Sequence, residues 1–471
     1  MTTHRRQFIG SCVAAGIGVL AGCSTSSEDS SESPTDSRPT ETTTPVQSPT
    51  ETLASTTPTP STPDGDDSST SPQPKLSADD VNGTTLFGGS VAVSNDGATA
   101  LAGATWDSTN GRMAGAAYVF ERSDGSWSQQ AKLLSDDTDS RDYFGKSVAL
   151  SNDGSLAIVG ANSDDDPHGD GGGAAYVFAR SDGSWDQQGK LAADDGTGGV
   201  KASSSGNDHF GESVAMSGDG GIALVAAPDE NENGTAAGAA YAFERSDGSW
   251  SQQAKLLADD GSRIDQFGSS VGLSRDGSRA LIGASHDSNG AGSAYIFARS
   301  DGSWSQQTKI AADDGDSDDQ FGCSVAMSDD GEHAFVGAKY DRATASDAGS
   351  AYVFERSGGA WRQRAKLTAD DGDSEDHFGT SVDISGDGST LLTGAYGDED
   401  PHGEEAGSAY VFERSDGSWS QQAKLVAGDG ESEDEFGGSV ALSGDGSLGL
   451  VGAKWDNDPV RHAGSAYVFD I

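Results

Sequence analysis

The sequence is poor in cysteine, in basic residues and in long apolar runs. It has only three cysteines, Cys12, Cys23 and Cys323, so no disulfide framework can hold the fold and stability must come from buried surface. The apolar stretch that begins at Cys12 and ends at Leu20 is too short to span a membrane. No repeat contains a capped segment of helical period, which predicts a chain almost without helix.

Basic residues are scarce relative to acidic ones. The chain has 76 acidic and 29 basic side chains, and residues 72–471 have 67 against 26, a difference of 41 negative charges. Such a surface repels itself in dilute buffer, whereas at molar salt the screening length falls to about 3 Å. The composition therefore indicates a protein of an extreme halophile, of archaeal type. It also excludes nucleic acid as a partner, because nothing resembles a basic groove.

One phrase, Phe-Gly-x-Ser-Val, is abundant. Its seven copies begin at Phe87, Phe144, Phe210, Phe267, Phe321, Phe378 and Phe436. Each copy continues through x-Asp-Gly, an apolar run ending near Gly-Ala, an acidic stretch and Tyr-x-Phe, and six copies reach Trp-x-Gln. Asp-Gly between two strand-like runs predicts a hairpin, because a primed turn needs positive φ. Four antiparallel strands per repeat predict an all-β fold, a seven-bladed β-propeller.

The count of motifs predicts how the ring closes. Seven Phe-Gly copies are followed by only six Trp-x-Gln strands, so the last repeat lacks its fourth strand. The segment Gln73-Pro74-Lys75-Leu76 matches the missing strand, and we expect it to pair with residues 464–470. A proline is acceptable there because the strand lies at an edge. The lysine of each fourth strand is expected to discourage edge-to-edge pairing.

These motifs resemble the FG-GAP repeat family, whose best-known members form the seven-bladed head of integrin α subunits. The resemblance covers residues 72–471, although only Pro228 supplies the proline of the family name. It implies an extracellular adhesion or ligand-binding domain and does not specify a ligand. Integrin-type blades bind calcium in acidic loops between the first two strands. Here those loops are short turns such as Asn95-Asp96-Gly97, so we expect that calcium site to be lost.

The N-terminal region predicts export and anchoring. Residues 1–23 contain Arg5-Arg6 and look like a twin-arginine signal peptide, and Leu20-Ala21-Gly22-Cys23 resembles a lipobox that would place a lipid on Cys23. The alternative is a plain signal peptide with a chance cysteine. Residues 24–71 are rich in Ser, Thr, Pro and acidic residues and predict a disordered linker. The predicted location is the extracellular face of the cell membrane, where Asn82 and Asn233 are glycosylation candidates.

The long acidic loops are expected on one rim of the propeller, where binding residues concentrate. An Asp follows the Gly-Ala pair in every repeat, with Asp229 taken as the equivalent residue of the third repeat, and an aromatic residue adjoins it in several. The predicted ligand-binding residues are Trp106, Asp107, Tyr340, Asp341, Tyr396, Asp398, Trp455 and Asp456. Aromatic faces beside carboxylates suit sugar rings. The alternative is that each Asp caps its own loop and that the aromatic residues cover blade edges.

The loops between blades have richer carboxylate spacing and make Ca²⁺ a possible ligand. The candidate metal ligands are Asp314, Asp316, Asp318, Asp371, Asp373 and Glu375. Calcium takes six or more oxygen ligands, which such loops could offer. The alternative is halophilic surface charge, and no other cofactor is predicted.

We therefore expect a monomeric, lipid-anchored binding or adhesion module for an extracellular protein or polysaccharide. Ser270 lies in a G-x-S-x-G pattern, but an equivalent serine recurs in every repeat and precedes a strand rather than a helix. No catalytic residue is predicted. Two alternatives stay open: a polysaccharide lyase or hydrolase that uses the axial funnel, and a structural envelope protein. The long insertion in blade three, residues 196–207, is a candidate for specificity.

Overall fold

The computed structural model describes residues 74–471, apart from residues 82, 138, 166, 170 and 197–206. The predictions for the signal peptide, for Cys23, for the linker, for Asn82 and for most of the insertion at residues 196–207 therefore lie outside the described residues. In the described part, the helix is limited to one short segment, Asp287–Gly290, which contains left-handed residues. No described helix has both the length and the hydropathy that a membrane span needs.

In the described residues, twenty-eight strands form seven antiparallel sheets of four. The first strand in the chain, β1 (Lys75–Leu76), belongs to the last sheet. Blade one consists of β2 (Phe87–Val93), β3 (Thr99–Ala104), β4 (Ala116–Ser123) and β5 (Ser126–Leu133). Blade two consists of β6 (Val148–Leu150), β7 (Leu156–Ala161), β8 (Ala174–Ser181) and β9 (Ser184–Leu191). Blade three consists of β10 (Val214–Met216), β11 (Ile222–Ala227), β12 (Ala239–Ser246) and β13 (Ser249–Leu256).

The remaining blades follow the same order. Blade four consists of β14 (Phe267–Leu273), β15 (Arg279–Ala284), β16 (Ser293–Ser300) and β17 (Ser303–Ile310). Blade five consists of β18 (Ser324–Met327), β19 (His333–Ala338), β20 (Ser350–Ser357) and β21 (Ala360–Leu367). Blade six consists of β22 (Ser381–Ile384), β23 (Thr390–Ala395), β24 (Ser408–Ser415) and β25 (Ser418–Leu425). Blade seven consists of β26 (Phe436–Leu442), β27 (Leu448–Ala453), β28 (Ser465–Asp470) and β1.

The N-terminal strand completes the last blade. Strand β1 pairs antiparallel with β28, with Lys75 opposite Tyr467 and Leu76 opposite Ala466. The Val468 amide donates a hydrogen bond to the Pro74 carbonyl oxygen at 3.0 Å. The predicted seven-bladed propeller and its closure by this segment are confirmed.

A cycle of backbone hydrogen bonds surrounds the axis at one end of the propeller. One residue from each turn between first and second strands donates its amide to the carbonyl oxygen of the equivalent residue in the next blade, at 2.8–3.0 Å. The donors, in order, are Asn95, Asn152, Gly218, Arg275, Asp329, Gly386 and Gly444, which donates back to Asn95. The cycle closes because seven blades complete the circle.

The Phe-Gly pair builds both the blade core and the junction between blades. Phe87 contacts Tyr118 and Phe120 edge-on, with ring centroids 5.6 and 5.8 Å apart. The following Gly88 has φ near +81°, and a Cβ there would lie 2.2 Å from the Ser465 carbonyl oxygen of blade seven. Phenylalanine therefore fills the blade, and glycine lets the neighbouring backbone approach.

The other repeated polar residues link neighbouring blades. The Val148 amide donates to Ser90 Oγ at 3.1 Å, which joins the inner strands of blades one and two. At the outer rim, the Asp79 amide donates to Gln129 Oε1 at 3.0 Å, and the same contact recurs at later junctions. The Ser-Val and Trp-x-Gln motifs are thus parts of the framework.

Candidate functional site

The antiparallel order of the strands sorts the connections into two faces. The turns between strands one and two, and between strands three and four, lie on one face, which we call the tight-turn face. Asp124 and Gly125 in one of these turns have φ of 51° and 78°, as a primed hairpin turn requires. The loops between strands two and three and the loops between blades lie on the opposite face, which we call the long-loop face. All the predicted ligand-binding and metal-binding residues lie on the long-loop face.

The Asp that follows the Gly-Ala pair is buried in an internal cluster. In blade one, Asp107 Oδ2 accepts hydrogen bonds from the Tyr118 hydroxyl and from Lys132 Nζ, each at 2.9 Å. Its other oxygen accepts from the Thr109 amide at 2.8 Å. Burial opposes ionisation, but the hydrogen bonds from Lys132 and Thr109 hold the pKa of Asp107 below its usual value. This carboxylate fixes the loop that follows it.

The other predicted carboxylates have equivalent partners. In each, a carboxylate oxygen lies 2.5–2.9 Å from a tyrosine hydroxyl and from a lysine Nζ. The groups are Asp341 with Tyr352 and Lys366, Asp398 with Tyr410 and Lys424, and Asp456 with Tyr467 and Lys75. Each also accepts a hydrogen bond from a backbone amide of its own loop. This geometry matches the loop-capping alternative, and a ligand-binding role for these carboxylates stays a prediction. The sequence predicted that these lysines discourage pairing at the outer strand edge. In the structure their Nζ atoms contact the loop carboxylates instead.

Blade three departs from the predicted alignment. The sequence placed Asp229 in the set of recurring carboxylates, but Glu230 makes the equivalent contact there, with its Oε1 3.0 Å from Lys255 Nζ. Asp229 instead lies 2.6 Å from His209 Nδ1, and this contact raises the pKa of His209. The assignment was wrong because the motif of this blade, Ala-Ala-Pro-Asp-Glu, offers two adjacent acids.

The predicted aromatic residues lie in two separate clusters. Trp106 and Trp455 meet edge-on with their ring centroids 5.8 Å apart. Tyr340 and Tyr396 both contact His377, which stacks on Tyr396 at 4.8 Å and meets Tyr340 edge-on at 5.2 Å. All five side chains are partly exposed. Sequence reasoning missed His377, although its place directly before a Phe-Gly pair could have revealed it.

The residue before each Phe-Gly pair has a left-handed backbone, with φ between 53° and 59°. These seven residues are Leu86, Tyr143, His209, Gln266, Gln320, His377 and Glu435. Non-glycine residues rarely adopt this conformation, which costs of order 1 kcal/mol each, and such residues cluster at binding sites. A constant strained backbone thus places five residue types, Leu, Tyr, His, Gln and Glu, at equivalent positions on the long-loop face.

The candidate metal ligands lie in exposed loops between blades. Asp314 lies 2.6 Å from Lys366 Nζ and accepts a hydrogen bond from Tyr352, and Asp371 contacts Lys424 at 2.7 Å. The remaining candidates, Asp316, Asp318, Asp373 and Glu375, are exposed. Among the described residues, no three side chains of His, Cys, Asp or Glu are arranged to hold a metal ion. Calcium binding stays a prediction.

One acidic residue in the inner strands was not singled out from the sequence. Asp383 lies on β22 at a position where the other six blades have alanine or glycine. Its two carboxylate oxygens accept hydrogen bonds from the Ile384 amide at 2.8 Å and from the Leu442 amide of blade seven at 2.7 Å. Burial raises the pKa of Asp383 to about 6. Only a position-by-position comparison of the repeats would have found it.

Comparison with known proteins gives one family. Seven segments match the FG-GAP repeat, at residues 70–120, 127–178, 185–243, 250–297, 304–354, 361–412 and 419–469. Each segment after the first begins in an outer strand, and all seven end in a third strand of the following blade, so the family unit spans a junction between blades. A search of curated proteins found no match to this chain. Because the matched segments cover most of the sequence, the chain belongs to the FG-GAP repeat family.

Proposed function

We propose that this protein is a cell-surface binding or adhesion module that engages an extracellular polysaccharide or protein through its long-loop face. In this proposal a lipid on Cys23 anchors a monomer to the outer face of the cell membrane, and the linker holds the propeller away from it. The observation that carries the proposal is the contrast between the two faces.

The tight-turn face is built from repeated parts. Its turns between first and second strands share the Ser-x-Asp-Gly pattern, in which the serine hydroxyl donates to the aspartate, as Ser94 does to Asp96 at 2.7 Å. The cycle of backbone hydrogen bonds occupies the region around the axis. The turns between first and second strands thus repeat one backbone and one side-chain hydrogen bond in all seven blades.

The long-loop face combines the same rigidity with different side chains. Buried Tyr-Lys-acid clusters fix its loops, and the left-handed positions before Phe-Gly present aromatic, amide, imidazole and carboxylate groups. Loops on a rigid scaffold lose little entropy on binding. Partly exposed rings such as Trp106, Trp455 and Tyr396 suit the apolar faces of sugars. These features favour binding of a polysaccharide over a purely structural role.

The chain's framework also favours a binding module over an enzyme. Ser270 Oγ accepts a hydrogen bond from the Val325 amide at 3.1 Å, and the equivalent Ser324 makes the same contact with Val382. A serine that links inner strands in this way serves the fold. We therefore propose no catalytic role for it.

An array of polysaccharides and cell-surface proteins, probed in molar KCl, tests the proposal. We expect at least one ligand to bind, and binding to weaken at least tenfold in Trp106→Ala and Trp455→Ala. Arg275→Ala, on the tight-turn face, is the control and should bind as the unaltered protein does. Equal binding by all three variants, or a loss confined to Arg275→Ala, would place the ligand elsewhere and contradict the proposal.

A further inference from the structure

The charge on the long-loop face is sorted by blade, although the backbone is the same throughout. At most junctions, one backbone hydrogen bond joins equivalent residues of the two blades. The donor is the amide three residues before the Phe of the Phe-Gly pair. The acceptor is the carbonyl oxygen three residues before the glycine that ends the long loop of the preceding blade. Between blades one and two this bond runs from the Arg141 amide to the Arg112 carbonyl oxygen at 2.9 Å. Between blades six and seven it runs from the Glu433 amide to the Glu404 carbonyl oxygen at 2.8 Å. Equivalent positions therefore carry two cations at one junction and two anions at another.

The cationic side extends to the junction between blades seven and one. There Arg461 occupies the position equivalent to Arg112, and its carbonyl oxygen accepts a hydrogen bond from the Thr84 hydroxyl at 3.3 Å. Several arginines elsewhere form ion pairs, as Arg299 does with Glu244 at 2.8 Å. Among the described residues, no carboxylate oxygen lies within 4.0 Å of the side-chain nitrogens of Arg112, Arg141 or Arg461. All three are exposed.

Aromatic side chains lie in the same blades as these arginines. Trp106 and Trp455 touch each other over blades one and seven, and His462 packs edge-on against Trp455 with the ring centroids 4.8 Å apart. Tyr143, in the left-handed position before blade two, lines two cavities. One, of about 290 Å³, also contains Arg112 and Arg141.

The second cavity places cations beside a tryptophan. It measures about 370 Å³ and is lined by Trp106, Tyr143, Lys146 and Lys454. Lys146 pairs with Glu212 at 3.0 Å and Lys454 with Glu435 at 2.5 Å. These lysines are partly neutralised, so the unpaired charge of the sector resides in the arginines.

Adjacent unpaired arginines are unusual on a domain with so large an acidic excess. Solubility at high salt is served by carboxylates, and two neighbouring guanidinium groups repel each other unless an anion lies between them. A guanidinium binds a carboxylate or sulfate through two parallel hydrogen bonds. Because molar salt screens charges beyond about 3 Å, only such direct contacts and ring stacking keep their strength there.

From this arrangement we infer that blades seven, one and two form a binding site for an anionic polysaccharide. Its arginines, Arg112, Arg141 and Arg461, pair with carboxylate or sulfate groups, and Trp106, Trp455 and Tyr143 contact the sugar rings. We call these six residues the basic–aromatic sector. The inference rests on the proposed role of the long-loop face and adds the class of ligand. Four glutamates at the junction between blades six and seven repel the same ligand and limit the site at blade seven. They are Glu404, Glu405, Glu433 and Glu435.

Calorimetry in molar KCl with three sets of oligosaccharides of equal length tests the inference. The probes are oligogalacturonate for carboxylates, sulfated dextran oligosaccharides for sulfates and unmodified dextran oligosaccharides as the neutral series. We expect one of the acidic series to bind at least tenfold more tightly than the neutral one, and the series that binds identifies the anionic group. The double variant R112Q/R141Q should lose at least tenfold in affinity for that series.

The control variant is R275Q on the tight-turn face, and melting curves of all variants verify that they fold. Equal affinity of the acidic and neutral series, or unchanged binding by R112Q/R141Q, overturns the inference. If the neutral series binds and W106A abolishes that binding while R112Q/R141Q does not, the long-loop face binds sugars but the ligand class is wrong. If no series binds and the array described above yields no ligand sensitive to W106A, both the inference and the proposed function fail.

Discussion

Lys75 Nζ lies 2.7 Å from Asp456 Oδ2, and this contact joins the beginning of the propeller to its last blade. Lys75 also contacts Asp429 at 2.8 Å. Burial alone would lower the pKa of Lys75, but hydrogen bonds to the two carboxylates raise it overall. Because the side chain of Asp456 is only 6% exposed, removal of this cation would leave a buried carboxylate without its ion-pair partner. The ion pair therefore stabilises the closed ring together with the two backbone pairs of β1.

Replacement of Lys75 should weaken the closure of the ring. We expect Lys75→Ala to lower the free energy of unfolding by about 2 kcal/mol, since a buried carboxylate loses its partner. The matched control is Lys132→Ala, which removes the same contact to Asp107 inside blade one. Both variants should lose similar stability, but only Lys75→Ala should accelerate hydrogen exchange at the Val468 amide, which donates to Pro74. Equal protection of that amide in both variants would show that Lys75 does not hold β1 in place.

The fold could be predicted from the sequence because its determinants are local and repeated seven times. Phe-Gly, Asp-Gly and Tyr-x-Phe each specify a turn or a core position within one repeat, and the count of Trp-x-Gln strands revealed the closing strand. Nothing comparable specifies which side chains meet across a blade. Asp107 looked available for a ligand because its partner Lys132 lies on an outer strand, where a lysine suggests solvent exposure.

The site could be predicted only in part, because the repeat itself hides the positions that differ. Trp106 and Trp455 were identified and do touch. Arg112, Arg141 and Asp383 were missed, since each replaces a residue of another type in an otherwise constant frame. The contacts of these residues are with neighbouring blades, and only the assembled ring brings those blades together.

Asp383 predicts a specific dependence of stability on pH. Its pKa in the folded protein is about 6, above the value of about 4 for an unfolded aspartate. The folded state therefore binds the proton first, and the free energy of unfolding should rise as the pH falls from 7.5 to about 5. Asp376 and Asp434, whose pKa values burial also raises to about 6, contribute in the same direction.

The variant Asp383→Asn isolates this contribution. The amide oxygen can still accept one of the two hydrogen bonds, and the charge is absent at every pH. We expect a gain of about 1–2 kcal/mol at pH 7.5, after allowance for partial solvent exposure, and little change at pH 4.5. Denaturant titrations at constant molar KCl measure both values. A loss of stability at pH 7.5 would mean that the ionised form is the favoured partner of the Leu442 amide.

The left-handed positions before Phe-Gly should respond to substitution in an unusual way. Gln266 has φ of 54°, so Gln266→Gly should relieve strain and raise the free energy of unfolding by about 0.5 kcal/mol. Gln266→Val should lower it by about 1–2 kcal/mol, because a β-branched residue tolerates this backbone poorly. Gln253, on the exposed outer strand β13, is the control. There the order should reverse, with glycine the more harmful substitution. The same order at both sites would argue against a strained backbone.

Salt should hold the propeller together, and its removal should act first where carboxylates gather. Burial and three neighbouring glutamates, Glu435, Glu404 and Glu433, raise the pKa of Glu405, which reports repulsion at the junction of blades six and seven. At about 0.01 M salt the screening length grows to about 30 Å, so distant carboxylates of the acidic surface also act on this junction and repel its glutamates. The same carboxylates attract the arginines between blades one and two. Circular dichroism should therefore show loosening of the fold between molar and millimolar KCl. Hydrogen exchange should show the Glu433 amide losing protection at a higher salt concentration than the Arg141 amide, although both make the same backbone bond. Unchanged dichroism, or earlier exchange at Arg141, would contradict an electrostatic origin of the salt requirement.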